Sequence, residues 1–147
     1  MNATPPRLRW TDSLRLGETG MDDTHAEFVV LVNALLEADD AGVPAALDRF
    51  AEHARRHFGE EDRQMQTTGY PSAGCHLDEH AAVLASVDQV REVVARGDVG
   101  EARRLAFELA RWFPEHTTHM DSGLAMWVIK RATGGAPLVF RRREPGA

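Results

Sequence analysis

LDRFAEHARRHFGEEDRQM, residues 47–65, is the stretch on which the fold turns. Its Leu47, Phe50, Ala54, His57, Glu61 and Met65 recur at intervals of 3, 4, 3, 4 and 4. That spacing keeps side chains on one face of an α-helix. Two of the six are ionisable, yet they lie on the stripe that a helix turns towards a core. Three other segments behave alike. His76, His80, Val83, Val87, Val90 and Val94 are spaced 4, 3, 4, 3 and 4, and Leu105, Leu109, Trp112 and His116 are spaced 4, 3 and 4. Phe28, Val29, Leu31, Val32, Leu35 and Leu36 form a helical apolar face, and His25 stands three residues before it. Each of the four segments therefore aims at least one histidine at a shared interior.

The residues between these stripes set the organisation. Residues 1–20 carry Pro5, Pro6, Gly17 and Gly20 without a sustained period. They read as an irregular arm, from which Trp10, Leu14 and Leu16 could pack back on the body. Helix one is expected from Asp22 or Asp23 to Asp40. Gly42-Val43-Pro44 stops it, and Pro44 suits the first turn of helix two. Helix two should end near Met65, before Thr67-Thr68-Gly69-Tyr70-Pro71. Ser72 is placed to cap helix three, which runs to Ala95 with Gly97 as its C-terminal cap. Asp98 and Glu101 have the spacing of a capping box for helix four, expected to reach Arg131. Pro114 within it removes a backbone donor and should kink or divide that helix. The prediction is all-α: an antiparallel up-down-up-down four-helix bundle. It comprises an arm over 1–21, the bundle over 22–133 and a basic tail over 134–147.

Composition narrows the partners. The 147 residues suit one domain. A net charge of −6 argues against non-specific nucleic-acid binding. The single cysteine, Cys75, cannot form an internal disulfide, which suits a reducing cytosol. No apolar run is long enough to span a bilayer, and Met1 to Trp10 lacks the apolar centre of a signal peptide. A cytoplasmic monomer with no membrane partner is expected. Arg141, Arg142 and Arg143 in the tail read as solvated chain, with a protein-binding arm as the alternative.

A lone core histidine is ordinarily satisfied by a backbone carbonyl. Five of them with two carboxylates, in a narrow core, would need many mutually consistent hydrogen bonds. Metal coordination satisfies them together and supplies positive charge. Neutral imidazoles with carboxylates suit iron, and also zinc, copper or manganese. Seven ligands are too many for one tetrahedral ion, and they suit two metals bridged by carboxylates. Asp121 is the weak point. It follows His116 by five residues, about 140° round an ideal helix, so the pair should not face one ion squarely. Asp121 could still bridge two ions, helped by a distortion at Pro114.

The ordered set His25, His57-x-x-x-Glu61, His76-x-x-x-His80 and His116-x-x-x-x-Asp121 resembles the ligand signature of the hemerythrin family. Flanking words match too: Gly20-Met21-Asp22-Asp23-Thr24-His25, His57-Phe58-Gly59-Glu60-Glu61, Gly69-Tyr70-Pro71 and Trp112-Phe113-Pro114-Glu115-His116. The resemblance covers residues 8 to 131. It implies a non-haem di-iron centre that binds O2 reversibly. One iron would be held by His76, His80 and His116. The other would be held by His25 and His57 and keep an open position for oxygen. Glu61 and Asp121 would bridge the irons with an oxo or hydroxo group. The irons would be Fe2+ without oxygen and Fe3+ with it, and the bridging hydroxide would donate a proton to the bound oxygen.

The resemblance further implies an oxygen pocket walled by Trp10, Phe28, Phe58, Trp112 and Phe113. Thr117 stands where the family more often has an aliphatic residue. Its hydroxyl, if turned inward, could admit water and shorten the oxygenated lifetime; alternatively its methyl faces inward. His53 and His119 match no ligand position and read as peripheral, although His53 could orient His57 or Glu61. Cys75 reads as a small residue at the start of helix three. Oxygen storage, delivery or scavenging is the leading function. The alternatives are an oxygen or redox sensor acting through a separate protein, and a slow di-iron peroxidase.

Overall fold

The computed structural model describes residues 7–134. The basic tail with Arg141 to Arg143, and Pro5 and Pro6 of the arm, lie outside the described residues. Five α-helices follow a 3-10 turn at Asp12–Leu14: α1 Thr19–Glu37, α2 Val43–Thr68, α3 Ala73–Ala95, α4 Gly100–His116 and α5 Ser122–Ala132. A π turn, Thr117–Asp121, joins α4 to α5. These last three form the fourth column of the bundle. Each column packs on its neighbours in the chain, and α4 closes the ring against α1. No described helix is long and apolar enough to cross a membrane.

Helix ends follow local chemistry, and several differ from the periodicity. α1 begins at Thr19, ahead of Asp22, because Glu18 caps it by accepting from the Met21 amide at 2.7 Å. Asp22 turns back and accepts from the amides of Leu16 and Gly17, at 2.7 and 3.1 Å. α1 stops at Glu37 because Asp39 serves the next helix, accepting from the Gly42 amide at 2.8 Å. α2 runs one turn past Met65, where Thr67 and Thr68 donate their hydroxyls to the carbonyls of Arg63 and Gln64. Gly69 then ends it in the left-handed conformation, φ 68°, which costs glycine little. Ser72 sits at the cap of α3 without a side-chain bond. The expected Asp98–Glu101 capping box does not form. Val99 takes the N-cap position with helical backbone angles, which leaves Asp98 one residue too early.

The arm is tied to α1. The Asn33 amide group is buried and exchanges two hydrogen bonds with the backbone of Leu8, at 2.9 and 2.7 Å. Leu8 and Leu14 enter the main apolar cluster, which also holds Phe28, Phe50, Phe58, Leu109 and Phe113. A smaller cluster of Met21, Met65, Leu124 and Ala125 lies towards the other end. Along each column the ionisable residues fall between members of these two clusters. A polar layer is thus sealed above and below by apolar side chains.

Candidate metal centre

The structure brings all seven sequence-predicted residues into that layer, in two overlapping groups. Glu61, His76, His80, His116 and Asp121 form one group, and His25, His57 and Glu61 form the other. In each, the potential ligand atoms lie within 4.8 Å of one another. All seven residues are at most 4% exposed.

Asp121 reaches the cluster because the chain widens its turn. Over Thr117–Asp121 the helix is of π type, with i→i+5 hydrogen bonding in place of i→i+4. Five residues then make close to one turn rather than about 1.4 turns. His116 Nε2 and Asp121 Oδ1 end 3.2 Å apart, which corrects the expectation that they cannot face the same ion. Pro114 lies just before the widened turn, so the division of helix four falls close to where the missing donor placed it.

Tautomers and distances test whether metal ions fit. His80 Nδ1 lies 2.7 Å from the Asp62 carboxylate, and His116 Nδ1 lies 3.0 Å from the Glu79 carboxylate. A carboxylate accepts only, so both Nδ1 atoms carry the proton. In the neutral rings both Nε2 atoms then present bare lone pairs, and they face each other at 3.2 Å. Such an arrangement is repulsive unless a cation lies against both. Metal–ligand bonds of about 2.1 Å at right angles put two donor atoms roughly 3 Å apart. The separations here fit that value: His76 Nε2 to Asp121 Oδ1 2.9 Å, His25 Nε2 to Asp121 Oδ2 3.3 Å, His25 Nε2 to Glu61 Oε2 3.4 Å. Although close, these pairs lack the angles of hydrogen bonds, as when both atoms point at a third. Of nine buried side-chain atoms left without a hydrogen bond among the described residues, seven belong to His25, Glu61, His76 and Asp121. Leaving such atoms unsatisfied costs about 1–3 kcal/mol each. The donor set thus fits two metal ions.

Without metal, the cluster holds its charge with protons. Burial alone would lower the pKa of His25 and of His76, but the Asp121 and Glu61 carboxylates outweigh it and raise both from 6.5 to about 9. Burial would raise Asp121, yet His116, His25 and His76 hold it well below the usual carboxylate range. Glu61 is likewise lowered: burial and Asp121 oppose ionisation, and His25, His57 and His76 prevail. A raised histidine pKa stabilises the metal-free fold fully below pH 6.5 and stops doing so as pH rises through 9. Metal must displace those protons. Uptake of metal by the metal-free chain at pH 7 should release about two protons from His25 and His76. An indicator dye in weak buffer would read this, and release well below one proton would show that the two rings are already neutral.

Aromatic rings enclose the layer. Phe28 and Phe113 stack at 4.2 Å, Phe113 meets His25 edge-on at 5.4 Å, and Phe28 meets His57 edge-on at 6.0 Å. Phe58 stacks on His80 and Trp112 on His116, both at 4.2 Å. Thr117 is fully buried, and its Oγ1 has no hydrogen-bond partner. Trp10 packs half-buried on the main apolar cluster.

His53 is not peripheral. It is 1% exposed, and its Nε2 lies 3.1 Å from His57 Nδ1. Its Nδ1 lies 3.2 Å from Glu27, which Arg56 holds at 3.0 Å. Burial and the adjacent His57 push the His53 pKa down to about 4, so the ring is neutral and can accept from His57. His119 and Cys75 are exposed. Sequence reasoning missed Glu27, Asp62 and Glu79, whose charges look like ordinary surface. One signal was present for Glu79: Trp112 needs an acceptor for its indole N–H, and Glu79 supplies it at 3.0 Å.

Comparison with known proteins agrees with this geometry. Residues 17–128 match the family model described as the hemerythrin HHE cation binding domain. A bacteriohemerythrin of Ralstonia nicotianae is 39% identical over 126 residues, covering 86% of this chain and 92% of that protein. Bacteriohemerythrins of Pseudomonas paraeruginosa and Stenotrophomonas maltophilia are each 27% identical, over 79% and 80% of this chain and 78% and 79% of theirs. With a buried His/Glu/Asp cluster built for two metal ions, and a family match across most of its length, this chain belongs to the hemerythrin family.

Proposed function

We propose that this protein binds molecular oxygen reversibly at a non-haem di-iron centre. One observation carries the reading: each carboxylate divides its two oxygens between two different sets of histidines. Glu61 turns Oε2 towards His57 and His25, and Oε1 towards His80 and His76, at 2.6, 3.4, 3.5 and 3.6 Å. Asp121 turns Oδ2 towards His25, and Oδ1 towards His76 and His116. His76, His80 and His116 would hold one iron, His25 and His57 the other, with Glu61 and Asp121 shared. A ferrous pair in such a site can supply two electrons to oxygen and take them back on its release.

The chain's own residues would do the rest. The His25–His57 side has one histidine fewer, which leaves room for a small ligand. Phe28 and Phe113 wall that side towards the core and limit the approach of water from there, which favours reversible binding. Asp62 and Glu79 fix the tautomers of His80 and His116, and the neutral His53 does the same for His57. Seven donors with only two carboxylates stabilise high oxidation states less than a carboxylate-rich site would, which favours binding over oxidation chemistry.

Thr117 supplies a prediction. Its buried hydroxyl lacks a partner, so Thr117→Val should raise stability by about 1 kcal/mol and lengthen the oxygenated lifetime. Urea unfolding and the decay of the oxygenated spectrum would measure these. Lower stability in the variant would mean that the hydroxyl is paired after all.

The function itself is tested by iron content and absorption spectra of the reduced protein under nitrogen, then in air, then after oxygen removal. Two irons per chain with a visible band that comes and goes would establish reversible binding. One iron or none, or a band that never reverses, would reject it. Sustained turnover with peroxide and a reductant would indicate a peroxidase.

A further inference from the structure

Where α1 begins beside the middle of α2, a pocket of about 370 Å³ opens at the surface. Its inner end is formed by His57 and Glu61, which are 2% and 4% exposed. Its outer part carries Glu18, Asp23, Glu60 and Gln64. Four carboxylates therefore line it, and no lysine or arginine does. Asp23 and Glu60 are exposed at the rim. Glu61 also keeps one buried oxygen, Oε1, that no hydrogen bond satisfies. A second pocket touches the other cluster at His76, but Tyr70, Cys75 and His119 line it and it holds no carboxylate.

We infer that the acidic pocket is the route by which divalent metal cations reach the paired clusters. This rests on the di-metal reading above. A concave wall of one charge focuses the field and concentrates oppositely charged ions at its mouth. A cation drawn past Asp23 and Glu60 meets His57 and Glu61 at the inner end. Glu61 belongs to both clusters, so its second oxygen offers the ion passage to the three-histidine side. An uncharged gas gains nothing from such a field, and the Phe28–Phe113 wall suits it better.

The test is the rate at which the metal-free full-length chain takes up cobalt(II), followed by stopped-flow absorption. The variant E18Q/D23N/E60Q removes three rim charges and keeps the Glu18 cap acceptor. The control E92Q/E101Q/E108Q removes three charges from the end of α3 and from α4. The rim variant should bind cobalt about tenfold more slowly at low ionic strength. The difference should fade at high salt, the control should resemble the parent, and both should reach the parent's final metal count. Equal rates in the rim variant and the parent would overturn the proposal, as would equal slowing in the control. A parent chain that never takes two ions would instead reject the di-metal reading, and this inference with it. Circular dichroism of each variant checks that a slow rate does not reflect unfolding. If the triple variant is unfolded, D23N/E60Q alone, at two exposed positions, should still slow uptake severalfold.

Discussion

Glu61→Ala should leave a folded helical protein that retains fewer than one metal ion per chain. Glu61 is the residue common to both ligand groups, and its oxygens face opposite sets of histidines. Removing it weakens both sites at once and leaves each short of negative charge. His57→Ala is the informative contrast. It deletes a donor from the two-histidine group only, so about one iron should remain, on His76, His80 and His116. Oxygen binding should vanish in that variant while most helix content persists. Iron analysis, the oxygen-dependent spectrum and circular dichroism together read these outcomes. Two irons retained by Glu61→Ala would show that the carboxylate is not shared. Oxygen binding that survives His57→Ala would show that the open side has been assigned to the wrong histidines.

Phe113→Ala should lower stability by about 3–5 kcal/mol, a large part of the roughly 5–15 kcal/mol that holds a domain together. Phe113 is 1% exposed, stacked on Phe28 and edge-on to His25. Truncation removes both ring contacts and leaves a cavity beside the metal layer. Water in that cavity should also shorten the oxygenated lifetime. Phe113→Leu refills most of the volume and should cost much less. Urea denaturation of the metal-free forms separates the packing effect from metal binding. A loss under 1 kcal/mol would mean that the surrounding helices collapse into the space and that the wall is not rigid.

Much of this was legible in the chain. Period 3.6 gave the four columns, and the same stripes carried His25, His57, Glu61, His76, His80 and His116 inward. These are properties of single helices, in which side-chain direction follows from residue number. Capping was read less well. The start of α1 depends on Glu18, and the start of α4 lies one residue later than the Asp98–Glu101 spacing suggests. Several residues can cap a given helix end, and packing chooses among them.

His53 shows where periodicity stops. Beside Ala54 on α2 it looked peripheral, yet Phe28 from α1 covers it, with ring centroids 6.0 Å apart. Asp62 and Glu79 are similar cases, polar residues at the flank of a helix. They became partners of His80 and His116 only when neighbouring helices met in a particular register.

The sequence by itself determined the bundle and six of the residues that could hold metal, because both follow from spacing along one helix. The tertiary structure alone decided how Asp121 joins them, which ring nitrogens are left bare, and how each carboxylate shares its oxygens. Those features depend on a π turn that helical arithmetic does not anticipate, and on distances between side chains from different helices.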